Sequence, residues 1–364
     1  MKQNYKNYRF SESGFSLIEL MVGLAIGLLV TLVISQTMSV FEGQKRTTTG
    51  TADAQTNGNI ALYNIGRDIQ LAGYALTSSP DNSPLKCDAV TLGAEAIAAG
   101  MTVAAGVRNI SPITITSGAS SDTIDIRYGN SILGGIQTLI TAAPIGSAIS
   151  VKSNLGCRDN DFVIVTKGTS CAITRLAATA DSPSGVTGNQ IVNLKSSESV
   201  PALATANNAN LSCVGNWNMP TYSVNNGNLQ LSGADAVAGI VSIQAQYGIS
   251  AAANSNLVTQ WIDPSVTGWK DSDITVTNRN RIKAVRIAVI ARNPKMESSA
   301  ILPTSACSSY NSASPTGLCA WAGTSTSPAP SINLTADPNW RRYRYRVFET
   351  IMPVRNTIWS KDTL

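Results

Sequence analysis

The sequence predicts an α+β fold: a long N-terminal helix packed on an antiparallel β-sheet with large loop and strand insertions. Three observations predict it. An uncharged run from Leu20 to Phe41 follows a basic leader. Apolar residues then recur at helical spacing up to Gly73. Beyond residue 76, strand-like alternation is broken by Ser-, Asn-, Gly- and Pro-rich stretches.

The leader, residues 1–14, holds Lys2, Lys6 and Arg9 against one acid, Glu12. From Phe15 to Phe41 the chain is apolar enough for a helix of about 40 Å at 1.5 Å per residue. That exceeds the roughly 30 Å hydrocarbon core of a bilayer. The positive flank predicts a cytoplasmic N-terminus. A cleavable secretory signal fits badly, because the run is too long and no small-residue cleavage site follows it. The small residue, Gly14, precedes the run instead. Glu19 is the anomaly. A carboxylate in hydrocarbon is costly and is tolerated near a helix N-terminus or beside a cation. Cleavage after Gly14 would supply such a cation, the new α-amine of Phe15.

Residues 42–75 read as the amphipathic half of the same helix. Ile60, Leu62, Tyr63, Ile65, Ile69 and Ala72 form the stripe expected to bury against a sheet, and Gly73 reads as the C-cap. Gly43, Gly50 and Gly58 weaken helix propensity along the way. Residues 76–364 then form a β-rich globular domain. Short strands are predicted at Ile113–Thr116, Thr123–Tyr128, Ile149–Lys152, Phe162–Thr166, Ala172–Arg175 and Ile191–Leu194. Longer ones are predicted at Val237–Ile249, Ile282–Arg292 and Arg341–Pro353.

Composition narrows the function. Histidine is absent, which excludes Ser-His-Asp and Cys-His catalysis and His-ligated metal chemistry. No P-loop, G-x-S-x-G or G-x-G-x-x-G is present, so no enzyme activity and no cofactor is expected. The formal charge of +5 is mild and falls when the leader is removed, which gives no support for a nucleic-acid partner. Six cysteines without a C-x-x-C pair suggest disulfides in an oxidising compartment.

Gly14-Phe15-Ser16-Leu17-Ile18-Glu19 closely resembles the cleavage signal of type IV prepilins and type II secretion pseudopilins. Further segments extend the likeness. They are Arg67-Asp68-Ile69-Gln70-Leu71-Ala72-Gly73-Tyr74, the strand-like runs 239–248 and 282–292, and Arg346-Val347-Phe348-Glu349-Thr350 with Val354-Arg355-Asn356. Together they resemble the PilW family of type IV pilus minor pilins, itself similar to J-type minor pseudopilins of type II secretion. The resemblance implies a structural and assembly protein of pilin-like fold. It implies cleavage after Gly14 by a prepilin peptidase, N-methylation of Phe15, and Glu19 as the carboxylate that pairs with a neighbour's N-terminus. It also implies residence in the inner membrane and then in the extracellular pilus. The implied partners are other minor pilins, the major pilin, the inner-membrane assembly platform and a large tip adhesin. Priming of pilus assembly and a place in a tip complex are the implied roles. A type II secretion pseudopilin and a pilus-borne DNA- or surface-binding subunit remain open as alternatives. Gly23 and Gly27 read either as a close-packing helix face or as ordinary membrane-helix glycines. Where major pilins usually carry proline, this chain has Gln36.

Short loops close at least entropic cost, which favours the pairs Cys157–Cys171 and Cys307–Cys319 and leaves Cys87–Cys213. Strand alternation would put Arg342, Arg344 and Arg346 on one face, as a DNA-binding patch or, on the blander reading, a solvated basic face. Asp159-Asn160-Asp161 and Asp271-Ser272-Asp273 could hold calcium, but turn chemistry explains both equally well, so no metal is assigned. Trp217, Trp261, Trp269 and Trp321 lie in or beside loops and are expected to pack locally.

Overall fold

The computed structural model describes residues 14–76, 82–302, 307, 318–323, 329–330 and 332–360. The predicted leader bases Lys2, Lys6 and Arg9 lie outside the described residues.

One helix, α1 (Leu17–Leu71), runs through both predicted halves without interruption. The chain divides within it into two compact units, up to Ala52 and from Asp53 onward. In chain order the other α-helices are α2 (Ala94–Ala98), α3 (Val276–Arg281) and α4 (Arg355–Trp359). The strands are β1 (Ala89–Leu92), β2 (Ile113–Thr116), β3 (Thr123–Ile126), β4 (Gln137–Leu139), β5 (Ala148–Ser150), β6 (Phe162–Lys167), β7 (Ser170–Arg175), β8 (Val186–Thr187), β9 (Ile191–Asn193), β10 (Asn210–Gly215), β11 (Thr221–Asn225), β12 (Asn228–Leu231), β13 (Ala234–Ala238), β14 (Ile240–Ser250), β15 (Val258–Ile262), β16 (Ile282–Met296) and β17 (Tyr343–Pro353).

The helix-bearing sheet has the order β15-β14-β16-β17 and is antiparallel throughout. Its inner face carries Ile243, Ala245 and Tyr247 of β14 and Val285, Ile287 and Val289 of β16, alternating as a half-buried sheet requires. These pack with Ala61, Ile65 and Ile69 of α1 in one core. A second sheet, β13-β12-β11-β3-β2, contributes Ile115, Ile124, Tyr222 and Leu229 to that core. The long run expected over 237–249 is two strands. Gly239, at φ 75, breaks it in a conformation that side chains disfavour.

The middle of the chain forms a third sheet, β1-β7-β6-β10-β4, and a small one, β5-β9-β8. The third sheet decides the disulfides. The structure pairs Cys87 with Cys171, Cys157 with Cys213, and Cys307 with Cys319, at Cα separations of 5.7, 5.1 and 5.1 Å. The expected Cys157–Cys171 and Cys87–Cys213 pairs are therefore wrong. β6 and β7 form a hairpin in which Cys171 lies at the turn, opposite Thr166. Cys157 precedes the open end of β6, so it stands roughly 15–20 Å away by strand rise. A disulfide needs Cα atoms within about 7 Å. β10 places Cys213 opposite Val163 at the open end, and parallel β1 places Val90 opposite Cys171. At this sheet each cysteine meets the partner that strand pairing delivers, whereas Cys307–Cys319 closes a short loop, as expected.

Candidate assembly site

The first turn of α1 is closed by its own side chains. The Ser16 hydroxyl accepts from the Ile18 N–H at 3.3 Å, and Glu19 Oε2 accepts from the Ser16 N–H at 3.2 Å. Ser16 C=O accepts from the Leu20 N–H at 3.2 Å. This is a capping box, two orphan donors satisfied reciprocally, with the carboxylate at the positive end of the helix dipole. The Ser16-x-x-Glu19 spacing is the sequence signature of this box. Among the described residues Glu19 Oε1 has no partner. Gly14 and Phe15 lie just before the helix, and Phe15 is 85% exposed.

From Phe15 to Phe41 every side chain is exposed, apolar ones included. α1 is long and apolar enough to cross a membrane. Three of its hydroxyls bond back within the helix: Thr31 donates to Leu28 C=O at 2.9 Å, Ser35 to Thr31 C=O at 2.8 Å and Thr37 to Val33 C=O at 2.5 Å. Such back-bonding spares these hydroxyls the need for water in hydrocarbon. Cβ atoms added at Gly23 or Gly27 would meet nothing within 4 Å. Charge returns with Glu42 and Arg46, an i,i+4 pair at 3.4 Å.

The second part of α1 is seated by small residues. Its buried stripe is Ala54, Gly58, Ala61, Ile65, Gly66, Asp68 and Ile69, continued by Ala72 just past its end. Ile60 and Tyr63, expected within the stripe, are 45% and 68% exposed. The reading followed apolar bulk, whereas close approach to β17 selects glycine and alanine. A Cβ on Gly58 would overlap the Phe348 ring, and one on Gly66 would overlap the end of Met352. Asp68 is buried and receives the Tyr222 hydroxyl at 2.6 Å, while Arg67 Nε reaches its other oxygen at 3.1 Å. Burial, reinforced by the Asp68 carboxylate, pushes the Tyr222 phenol well above its usual range. At the helix end Gly73 adopts φ 75 and donates to Arg127 C=O at 2.8 Å. Asn356 Nδ2 donates to Ala72 C=O at 2.9 Å. Asp68 and Gly73, one from each motif, are thus fastenings of the helix to the chain around it.

The remaining candidates resolve into structural roles. Arg342 stands in a 3-10 turn before β17, so it does not share a strand face with Arg344 and Arg346. Its guanidinium donates to Glu297 C=O at 2.8 Å, Arg344 pairs with the Glu297 carboxylate at 2.8 Å, and Arg346 is exposed. Asp159 receives the Thr179 hydroxyl and the Val186 N–H, and Asp161 receives the Arg158 N–H. Asp271 pairs with Arg108, and Asp273 receives the Gly268 N–H. Trp217, Trp269 and Trp321 are buried. Arg286 lies over the rings of Trp321 and Trp261, at 4.7 and 6.0 Å from their centroids. Sequence reasoning missed Arg279, wholly buried, whose guanidinium donates to Val107, Leu85 and Cys87 carbonyls at 2.8–3.1 Å. Burial lowers its pKa to about 9.

Residues 9–35 match the prokaryotic N-terminal methylation motif. Residues 196–356 match the type IV pilus-assembly protein W family. Among solved structures the chain is similar to a type IV-like pilin from Thermus thermophilus, at 10% identity over 83% of this chain and 96% of that one, with a TM-score of 0.33. No curated protein matches. The chain is pilin-like, with a prepilin methylation motif at its start and a pilus-assembly W region in its C-terminal half.

Proposed function

We propose that this chain is a minor pilin that primes type IV pilus assembly and enters the pilus in a tip complex. The observation that carries the reading is the start of α1: Gly14, Phe15, the Ser16–Glu19 capping box and an uncharged, fully exposed apolar helix to Phe41. A prepilin peptidase cuts after Gly14, and Phe15 becomes the methylated N-terminus. The helix waits in the inner membrane with residues 76–364 in the periplasm. Glu19 holds its own helix start through Oε2 and offers Oε1 to the charged amine of a neighbouring pilin. In low dielectric that pairing is far stronger than in water. Its partners are other minor pilins, the major pilin, the assembly platform and a large tip adhesin.

Intact mass and N-terminal sequencing of the protein from sheared pili test this. An N-terminus at methylated Phe15 in the sheared fraction is expected. Glu19→Ala should still be cut yet be depleted from that fraction at least tenfold. Processed protein confined to membranes would remove incorporation from the proposal. An uncut Met1 chain in both fractions would overturn it.

A further inference from the structure

The strand β17 closes the helix-bearing sheet on one side, and among the described residues no strand pairs with its other side. At 11 residues it presents about 35 Å of edge. The Val354 N–H donates to Lys283 C=O on β16 at 2.8 Å, and the β16–β17 register runs without a slip from Pro353 to Tyr345. Backbone groups alternate sides along an antiparallel strand. Those of Met352, Thr350, Phe348 and Arg346 therefore face β16, and those of Tyr345, Val347, Glu349 and Ile351 face outward. None of these four outward N–H or C=O groups has a hydrogen-bond partner among the described residues. Proteins normally blunt so long an edge, because it templates pairing with another chain.

The charges around the edge say what it takes. Exposed Arg346 lies on β17 and exposed Arg355 just beyond its end, neither with an ion-pair partner among the described residues. The nearby acid Glu349 is held by Arg286. A second copy pairing antiparallel would bring its Arg355 toward Arg344 and Arg346 of the first, and like charges across strands are unfavourable. We propose that the β17 edge is a strand-acceptor site for an extended, acidic segment of a partner protein. Main-chain hydrogen bonds supply the affinity, and Arg346 and Arg355 select the carboxylates that flank them.

The test uses the full chain in detergent and a fluorescein-labelled ten-residue peptide alternating valine and aspartate, against one alternating valine and lysine. The acidic peptide should bind at least tenfold tighter, and it should slow amide exchange within 343–353. Ile351→Pro removes one outward N–H and leaves the β16 ladder whole, and it should weaken binding at least tenfold. Arg346→Glu, at an exposed position, should weaken it at least fivefold and decides the case should Ile351→Pro unfold. Equal affinity for the two peptides, no binding, protection elsewhere, or a dimer that protects 343–353 would each overturn the proposal. None of these readouts involves leader cleavage, so the reading of the N-terminus stands or falls separately.

Discussion

Replacing Gly58 by alanine tests how closely the helix must approach the sheet. A Cβ there would fall inside contact with three atoms of the Phe348 ring, the farthest, Cζ, at 2.8 Å. The ring is rigid and shares a core with Val289, its cross-strand partner on β16. Overpacking of this kind costs about 1–3 kcal/mol. Alanine returns about 0.5–1 kcal/mol of helix stability over glycine. The net loss is therefore about 0–2.5 kcal/mol, a fall in Tm of up to roughly 5 °C for a unit this large. Gly66 is the internal control. Its added Cβ would meet only the Cε and Sδ of Met352, the end of a flexible side chain that can swing aside. Gly66→Ala should sit within about 0.5 kcal/mol of the parent, since the helix gain offsets the adjustment. Thermal scans of the full chain in detergent, followed by tryptophan fluorescence, read both. Gly58→Ala combined with Phe348→Leu should lose less than the two single changes together. If Gly58→Ala melts at or above Gly66→Ala, close approach to Phe348 is not why glycine stands there.

Three further outcomes are expected. Burial pushes the Asp122 carboxyl up to about 7, although Ala245 and Gly118 N–H groups donate to it. A group whose folded pKa is raised favours the fold below its unfolded value and loses that contribution as pH rises, so Tm should fall between about pH 4 and 7, and Asp122→Asn should flatten that slope. Arg279→Met strands the carbonyls of Val107, Leu85 and Cys87 and should cost about 3–5 kcal/mol in denaturant unfolding. Peptide mass mapping without reduction should recover Cys87–Cys171, Cys157–Cys213 and Cys307–Cys319, and Cys157→Ser should lower stability by about 2–5 kcal/mol.

The parts of the fold that were legible are those governed by local periodicity. The unbroken apolar run fixed α1, and the alternation of β14, β16 and β17 exposed the main sheet. Loop length was enough for Cys307–Cys319 but not for the other two pairs, which depend on which strands neighbour one another in the third sheet. Ile60 and Tyr63 were misplaced for a related reason: where two elements touch closely, the buried side is the small side, and a search for large apolar residues looks past Gly58, Ala61 and Gly66. At the candidate site Gly14, Phe15 and Glu19 stood out by spacing and charge. Ser16 did not, because a lone serine before a helix carries no signal until the carboxylate three residues on is read with it. Arg279 was invisible, since its acceptors lie on segments far away in the chain.

The seating of α1 on the last strand also sets a timetable. Asn356 holds the carbonyl of Ala72, 284 positions earlier, and Phe348 and Met352 fill the spaces left by Gly58 and Gly66. Contacts so distant in sequence form late and slowly. The helix α1 is thus among the last elements to be locked, and it cannot be locked until β17, about 270 residues later, has been made. A chain interrupted before β17 lacks the surface that grips its own helix. Synthesis of β17 and completion of the helix seat are one event, so only a chain that includes β17 presents a seated helix.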